Sequence, residues 1–542
     1  MLPTRRPNVP RGLRAWPAPM RVSALVTLVL LALAVPAAPL DQYPDDEEGL
    51  DPGEVLKLPD GFIMGASTSA YQIEGAWNED GKGLSNLDMA NNGREDGGGT
   101  VACDSYHKYQ YDVQLLKMMN ATHYRFSIAW ARLLPTGEPD NVNDLGVQYY
   151  NNLLDELEDN GIQPMVTLYH EDVPQTLQEA FGAWDSEKIV NYFESYARTA
   201  FRLFGKRVKL WTTLNEPLTF TVIGAEHGRL GTTNNQPGVS GYRAGHNMLL
   251  AHARAHRAYH QDFADQGGMV GLTLSGLFTK PCSASLDDVR AAERHMQFEL
   301  GWFLDPLLMG GEYPPWMRQN VDPARLPSFT AEQRELLNGA IDFIGLNGYF
   351  GGTACNGVPK NAASPSYERD QAVTVPDSGN PDLDPDNPMM NVKFAWNPSS
   401  IRNSLRWIRD RYDPRNKIPI IVTENGYNGE DDMRVAYLSQ WLRSVLRGVY
   451  EDKLNVRGYL VWSLLDNFEW GIGFKGRYGL AEVDFSSENK TRRPKESLFF
   501  MRDVITTRNV PLVARPGSAS SSARPAIFGA WVALLLFVVP YM

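Results

Sequence analysis

Residues 208–216 (VKLWTTLNE) and 418–425 (IPIIVTEN) follow one pattern, a run of β-branched and aromatic residues that closes on a glutamate beside an asparagine. Short runs of this kind predict buried strands. They recur along the chain, separated by amphipathic stretches such as 104–119 and 187–204. The predicted strands are 62–67, 123–128, 163–169, 208–214, 269–275, 342–347, 418–423 and 457–462. Strands that alternate with helices pair in parallel, so these eight units predict the α/β class and a single closed (β/α)8 TIM barrel.

Glu216 and Glu424 stand at the carboxyl ends of two predicted strands. In a parallel barrel these ends open on one face, where active sites are built, so we expect the two side chains in one cleft. Glycosidic hydrolysis requires such a carboxyl pair, with one group protonated near neutral pH and the other ionised. The alternative is that each glutamate pairs with a nearby base in a structural role.

Composition and charge exclude several classes of function. The chain has 542 residues, 43% of them hydrophobic, and a formal net charge of −12 with no basic run inside the predicted folded part. Nucleic acid is therefore not an expected partner. The three cysteines, Cys103, Cys282 and Cys355, allow at most one disulfide and do not indicate which two residues form it. No Cys/His spacing typical of a metal site occurs.

Both ends of the chain are predicted to be processing signals. Residues 1–38 combine an arginine-rich start, an apolar run from Val22 to Val35 and a small-residue cleavage site, which predicts a signal peptide. At the other end, residues 511–525 form a Ser/Pro-rich spacer and 526–542 an apolar tail, the pattern of a GPI-attachment signal with its attachment site near Gly517 or Ser518. An uncleaved signal anchor and a C-terminal transmembrane helix are the alternatives. These signals predict a protein of the secretory pathway, held at the cell surface by a lipid anchor or released outside the cell.

The remainder divides into an acidic lead-in, 39–57, and one barrel domain, 58–510. Within the domain, the Pro/Asp/Asn-rich segment 356–398 is too long for a plain connection and is predicted to be a lid or rim loop over one barrel mouth. Asn120 and Asn489 begin glycosylation sequons.

Several motifs in the domain resemble those of glycoside hydrolase family 1, the β-glucosidase and lactase-phlorizin hydrolase family. They run in the family's order from FIMGASTSAYQIEGAW (62–77) through WTTLNEP (211–217) and VTENG (422–426) to RYGLAEVDF (477–485). The resemblance implies a retaining β-glycosidase that removes terminal non-reducing β-linked sugars by double displacement. It also implies that no cofactor is needed, because two carboxyl groups supply acid, base and nucleophile.

The resemblance assigns roles residue by residue. Glu216 matches the general acid/base and Glu424 the nucleophile, while Arg125 and Tyr349 match the arginine and the tyrosine beside the nucleophile. An ion pair within the barrel is the structural alternative for Arg125. The residues that match the sugar-binding set are Gln72, His170, Asn215, Asn347, Trp462, Glu469 and Trp470.

Two positions depart from the family pattern. Glu171 stands where the family usually has tryptophan, and Gly348 stands where it commonly has tyrosine or histidine. If Glu171 points into the cleft, it could raise the pKa of a neighbouring acid or bind a different sugar hydroxyl. The departures leave open a klotho-like protein that binds sugars or partners with weak or no catalysis. A thioglucosidase is a third hypothesis, disfavoured because the plant enzymes of that kind lack the acid/base glutamate.

Overall fold

The computed structural model describes residue 43 and residues 54–232, 236–276, 278–360, 362–374 and 396–517. The predicted signal peptide, most of the acidic lead-in and the predicted apolar tail lie outside the described residues, as do 375–395 of the predicted lid segment. None of the helices within the described ranges is both long enough and apolar enough to span a bilayer.

Eight parallel strands close into a barrel. The strands of the structure are β1 Leu56–Lys57, β2 Ile63–Ser67, β3 His123–Ser127, β4 Gln163–Tyr169, β5 Leu210–Asn215, β6 Met269–Ser275, β7 Phe278–Pro281, β8 Ile344–Asn347, β9 Gly351–Asn356, β10 Val373–Thr374, β11 Ile420–Asn425, β12 Val456–Trp462, β13 Ala481–Val483, β14 Arg492–Pro494 and β15 Asn509–Val510. Around the barrel the order is β2-β3-β4-β5-β6-β8-β11-β12, and β12 pairs with β2. All eight predicted strands are confirmed, as is the TIM barrel.

Helices surround the barrel. They are α1 Ala70–Ile73, α2 Asn86–Ala90, α3 Ser105–Met118, α4 Trp130–Leu133, α5 Asp144–Asp159, α6 Gln175–Phe181, α7 Lys188–Phe204, α8 Pro217–Thr219, α9 Ser240–Asp262, α10 Leu286–Met296, α11 Trp302–Leu308, α12 Pro315–Asn320, α13 Ala331–Leu337, α14 Tyr367–Gln371, α15 Ser399–Tyr412, α16 Asp431–Tyr450 and α17 Glu496–Thr507. Two π-helical turns, Phe220–Glu226 and Gln297–Gly301, interrupt this pattern. The predicted helices 104–119 and 187–204 correspond to α3 and α7.

The interior of the barrel is divided along its axis. A small apolar cluster fills the half in which the strands begin, and its buried members are Met165, Leu210, Phe343, Ile421 and Leu460. The half in which the strands end carries buried polar side chains instead, among them Arg125, Asn215 and Asn347. This division closes one end of the barrel with hydrophobic packing and leaves the other end for chemistry.

A small sheet lies beyond the strand ends. It has the order β10-β9-β7, and a disulfide joins Cys282, next to β7, to Cys355 in β9. Cys103 is a free thiol and is buried. The described part of segment 356–398 contains α14 and β10, so part of it is regular structure rather than plain loop. Its role as a lid stays a prediction.

Candidate active site

The two glutamates lie at the carboxyl ends of the barrel strands. Glu216 directly follows β5, and Glu424 is the fifth residue of β11. Asn347, on β8, donates from Nδ2 to Glu216 Oε1 at 2.8 Å, and it lies opposite Glu424 in the pairing of β8 with β11. The structure therefore brings both carboxyl groups into one cleft.

Glu216 is held in a strained and largely buried position. Its φ of +36° places it in the left-handed region, and its backbone N–H donates to the Thr273 carbonyl at 2.9 Å. Burial, with the charge of Glu424 added, raises its pKa to about 7. The hydroxyl of Thr219 opposes this shift by donating to Glu216 Oε2 at 2.6 Å. A carboxyl group with this pKa can hold a proton near neutral pH, as a general acid must.

Glu424 receives a hydrogen bond on each carboxylate oxygen. Arg125 Nη1 donates to Oε1 at 2.5 Å, and the Tyr349 hydroxyl donates to Oε2 at 2.7 Å. The guanidinium of Arg125 is fully buried, so little water screens its charge. These partners fix the position of the carboxylate and place a positive charge beside it, which are the surroundings that a carboxylate nucleophile needs.

Arg125 and the two asparagines connect the glutamates. Arg125 Nη2 donates to Asn215 Oδ1 at 2.7 Å, and Asn347 Nδ2 approaches the same oxygen at 3.2 Å. Thr423 fixes Asn347 by donating to its Oδ1 at 2.7 Å. The positions of both catalytic candidates are thus coupled through one buried network.

Aromatic rings and His170 form a second wall of the cleft. The imidazole of His170 is nearly parallel to the rings of Trp462 and Trp470, with centroids 5.8 and 6.3 Å away. His170 Nε2 accepts from Asn215 Nδ2 at 3.2 Å, which leaves the proton on Nδ1, a buried atom with no partner among the described residues. Burial and the charge of Arg125 hold the pKa of His170 well below its ordinary value. A neutral ring with an unpaired N–H suits donation to a sugar hydroxyl.

The loop after β12 contributes a further carboxyl group. Trp462 Nε1 donates to Glu469 Oε2 at 3.4 Å, and burial raises the pKa of Glu469 to about 8. Gln72 donates from Nε2 to Asn467 Oδ1 and to the Phe468 carbonyl, and it accepts from the Ser69 hydroxyl. Both N–H groups of Gln72 are therefore engaged with the protein, and the side chain holds the loop that carries Glu469.

The two departures from the family pattern have different surroundings. Glu171 is 3% exposed, and its burial together with the charges of Glu216 and Glu424 raises the pKa of its carboxyl group well above the ordinary value. A Cβ atom at Gly348 would lie 3.3 Å from two carbon atoms of Ile401, on α15. The space beside Gly348 is therefore already occupied by an isoleucine.

The sequence did not single out three residues near the cleft. Thr219 contacts Glu216, and the ring of Tyr478 lies edge-on to Tyr349 at 6.2 Å. Glu299 is a mostly buried carboxyl group on the second π-helical turn. Burial raises the pKa of Glu299 to about 7. Only Thr219 could have been found from sequence spacing, because it lies three residues after Glu216, in the short helix α8.

A possible metal-binding group lies outside the cleft. His256 and His260, on α9, place their Nε2 atoms 3.2 and 2.8 Å from the carboxylate oxygens of Asp342, just before β8. One of these oxygens also accepts from the Val270 N–H at 2.7 Å. The three side chains already satisfy one another, so the described residues account for this cluster without an ion. At the surface, Asn120 and Asn489 are both exposed.

Comparisons with known proteins point the same way as the geometry. The family model for "Glycosyl hydrolase family 1" matches residues 55–510. Myrosinase 1 of Brevicoryne brassicae is 39% identical over 484 residues, covering 83% of this chain and 99% of the relative. β-Glucosidase 42 of Arabidopsis thaliana is 40% identical over 462 residues, covering 82% of this chain and 93% of the relative. A solved structure of a rice β-glucosidase mutant in a covalent complex with Glc has a TM-score of 0.76 at 35% identity, and the match covers 82% of this chain and 99% of the rice chain.

Proposed function

The chain belongs to glycosyl hydrolase family 1 and is an O-glycosyl hydrolase of the β-glucosidase type, and on that premise we propose that it removes terminal β-linked glucose with Glu424 as nucleophile and Glu216 as general acid/base. The observation that carries this assignment is the contrast between the two carboxyl groups. Glu424 is paired with Arg125 and Tyr349, whereas burial raises the pKa of Glu216 to about 7. Opposite environments give two carboxyl groups opposite roles.

The reaction proceeds in two displacements at the anomeric carbon. Glu424 attacks that carbon while the glycosidic C–O bond breaks, and the leaving oxygen takes the proton of Glu216. Water then attacks the same carbon, gives its proton to Glu216, and displaces Glu424. Two inversions leave the configuration of the sugar unchanged.

A klotho-like protein that binds sugars or partners without catalysis would be expected to lack part of this catalytic site. Both glutamates are present, and each has the hydrogen-bond partners that its role needs. Glu171 adds a carboxyl group to the cleft without displacing any of these partners. A working enzyme is therefore the function that the site supports best.

Hydrolysis of p-nitrophenyl β-D-glucoside, β-D-galactoside, β-D-fucoside and thio-β-D-glucoside by residues 39–516 tests the proposal. We expect turnover of the glucoside, and its loss in both Glu424→Gln and Glu216→Gln. The matched control is Glu488→Gln, which makes the same change at an exposed residue. A folded protein that turns over none of these substrates would contradict the proposal.

Azide separates the two roles. With Glu424→Ala, azide replaces the lost nucleophile and gives an α-glycosyl azide from a β-glycosyl fluoride. With Glu216→Ala, azide attacks the glycosyl-enzyme and gives a β-glycosyl azide. The opposite pair of products would reverse the assignment.

The location of the protein is a separate proposal. The signal-like residues 1–38 and the apolar end 526–542 support secretion followed by GPI attachment. We expect phosphatidylinositol-specific phospholipase C to release the full-length protein from the surface of expressing cells. Retention on the cells after this treatment would favour the transmembrane alternative, and release without treatment would indicate that no anchor is attached.

A further inference from the structure

A third carboxyl group of the cleft, that of Glu171, is not used by the mechanism. Glu171 follows β4 by two residues, adopts a left-handed φ of +73°, and is 3% exposed. Its carboxylate oxygens have no hydrogen-bond partner among the described residues. Buried polar groups are ordinarily hydrogen-bonded, so this carboxyl group is free to form a hydrogen bond with a molecule that enters the cleft.

The backbone around Glu171 is fixed from one side by Asn86. The Asn86 side chain donates from Nδ2 to the Glu171 carbonyl at 3.1 Å and accepts from the Val173 N–H at 2.7 Å. The Asn86 N–H also donates to the Val173 carbonyl at 2.9 Å. On the other side, His170 is bound to Asn215. Because the residues on both sides of Glu171 are held by hydrogen bonds, its backbone is fixed at the unusual φ. The loop therefore cannot shift to carry the side chain out of the cleft.

The charges around Glu171 disfavour its ionised form. Burial and the negative charges of its neighbours raise its pKa well above the ordinary value. The acidic neighbours are Glu216 at the end of β5, Glu424 on β11, Glu469 after β12 and the adjacent Asp172; the other neighbouring groups are Tyr169 and His170. The cation of the network, Arg125, already bonds Glu424 and Asn215. An additional buried charge beside these four carboxyl groups lacks a compensating partner, so the uncharged carboxylic acid is the stable form.

We propose that Glu171 binds the terminal sugar as a carboxylic acid, donating its O–H to one hydroxyl oxygen of the glycone. This inference rests on the proposed function, because it takes the cleft to be the glycone site. It adds a hydrogen-bond donor to the donors of His170 and Asn215, and it makes the site selective for uncharged sugars that carry an oxygen at the contacted carbon. A glycone carboxylate or phosphate at that carbon would face four acidic side chains.

Competitive inhibition by free sugars tests the contact without involving the chemical step. D-Glucose is compared with its 3-, 4- and 6-deoxy analogues and with the matching deoxyfluoro analogues, in the wild type and in Glu171→Met. We expect the wild type to bind one of the three deoxy analogues about 5- to 10-fold more weakly than it binds glucose. This difference corresponds to the net contribution of one hydrogen bond. Glu171→Met should show no loss for that analogue. Fluorine accepts a hydrogen bond but cannot donate one, so the fluoro analogue should recover part of the affinity.

Glu171→Gln distinguishes the protonated donor from an ionised acceptor. The amide keeps an N–H donor and does not titrate, so it should bind glucose within about 3-fold of the wild type at pH 5–6. As pH rises, glucose affinity should fall more steeply in the wild type than in Glu171→Gln, because only the wild type ionises Glu171 in addition to Glu216 and Glu469.

Two results would overturn the inference while leaving the proposed function intact. One is an equal loss for every deoxy analogue in the wild type and in Glu171→Met, and the other is a fluoro analogue that binds no better than the deoxy analogue. A wild type without turnover of any glucoside would instead contradict the proposed function. Circular dichroism of each variant establishes that it is folded.

Discussion

At the scale of single residues, four carboxyl groups share the cleft with one guanidinium. The groups are Glu171, Glu216, Glu424 and Glu469, and the guanidinium is that of Arg125. Among these four groups, Arg125 forms an ion pair with Glu424. Burial raises the pKa values of the other three. The single positive charge thus gives Glu424, the proposed nucleophile, surroundings unlike those of the other three carboxyl groups.

This division predicts the alkaline side of the pH–activity profile. Because the acid must be protonated, kcat/KM should fall as pH rises through the Glu216 pKa of about 7. Thr219→Val removes a hydrogen bond that stabilises the ionised form, so the pKa should rise further, by about 0.7 unit if the bond contributes ~1 kcal/mol. The alkaline limb of kcat/KM for p-nitrophenyl β-D-glucoside should move upward accordingly.

Thr221→Val provides the control for that measurement. Thr221 lies two residues further along the same segment, and its hydroxyl donates to the Leu218 carbonyl instead of to a carboxylate. Its substitution should leave the limb in place. A limb that does not move in Thr219→Val, or that moves equally in both variants, would show that Glu216 is not the group that titrates.

Glu216 and Glu424 could be located from the sequence because each ends a recognisable strand. Arg125, Tyr349 and the sugar-binding set required the resemblance to a family, since nothing in their local sequence marks them. Neither the strand pattern nor the family resemblance identified Glu299 and Tyr478. Their relation to the cleft comes from packing between segments distant in the chain, which neither spacing nor periodicity encodes.

At the scale of elements, the long and regular units were predictable and the short ones were not. The barrel strands lie within two residues of their predicted bounds, because each is a short run rich in aliphatic, β-branched or aromatic residues. The sheet of β7, β9 and β10 was not predicted. Its strands are short, and they are held together by pairings and a disulfide between segments 73 residues apart.

That disulfide allows a direct chemical test. In native protein without reductant, we expect no thiol to react with a thiol-specific reagent, because Cys103 is fully buried and Cys282 is bonded to Cys355. Denaturation should expose one thiol, and denaturation with reductant all three. Two or more reactive thiols in the native state would contradict the assignment.

Loss of the disulfide should weaken the rim of the cleft. The double variant Cys282→Ser, Cys355→Ser should lose about 2–4 kcal/mol of unfolding free energy, as is usual when a native cross-link is removed. Urea unfolding gives the comparison, and the wild type measured with reductant should match the variant. A variant as stable as the oxidised wild type would show that the bond contributes nothing.

At the scale of the whole molecule, the two ends of the described domain meet. β1 pairs antiparallel with β15, and Arg443, on α16, donates to the carbonyls of Glu54 and Val510 at 2.8 Å. The chain continues along α16, where Gln440 donates to the Val513 carbonyl at 2.9 Å. The segment after α17 therefore belongs to the folded domain.

This packing predicts where truncation becomes damaging. A protein that ends at residue 516 should unfold at the same urea concentration as one that ends at 517. Ending at residue 508 removes β15 and leaves the buried guanidinium of Arg443 without one carbonyl partner, which should cost at least ~2 kcal/mol. Equal unfolding midpoints for the proteins ending at 508 and 516 would contradict this account.

Stability should depend on pH through two opposing sets of buried groups. Burial lowers the pKa values of five histidines, which are His123, His170, His246, His252 and His295. The unfolded chain binds protons at these sites below about pH 6.5, so stability should rise as pH rises to that value. The carboxyl groups of Glu216 and Glu469 act oppositely. Their folded pKa values of about 7 and 8 exceed the unfolded value, so the stability they contribute is lost as pH rises through 7–8.

The expected outcome is a stability maximum near pH 6.5 and a decline toward pH 8. Above pH 6.5 these five histidines are neutral in both the folded and the unfolded states, so the decline reports the groups whose folded pKa is raised, which include His227 beside Glu368 as well as the carboxyl groups. Glu469→Gln should therefore lose less unfolding free energy between pH 6.5 and 8 than the wild type. Parallel curves for the two proteins, measured by urea unfolding, would exclude Glu469 as a source of the decline.

The direction of the last described residues has a consequence for how the protein would sit on a cell. From β15 the chain runs back along α16, and Arg515 stacks on Trp396 at 4.8 Å. Trp396 packs on Tyr427, two residues beyond the end of β11, on the side where the cleft opens. If the lipid anchor proposed above is attached near Gly517, the tether leaves the domain from this side and brings the mouth of the cleft close to the bilayer. Glycolipid headgroups would then be presented to the cleft at high local concentration, while bulky soluble polysaccharides would have to approach from the edge.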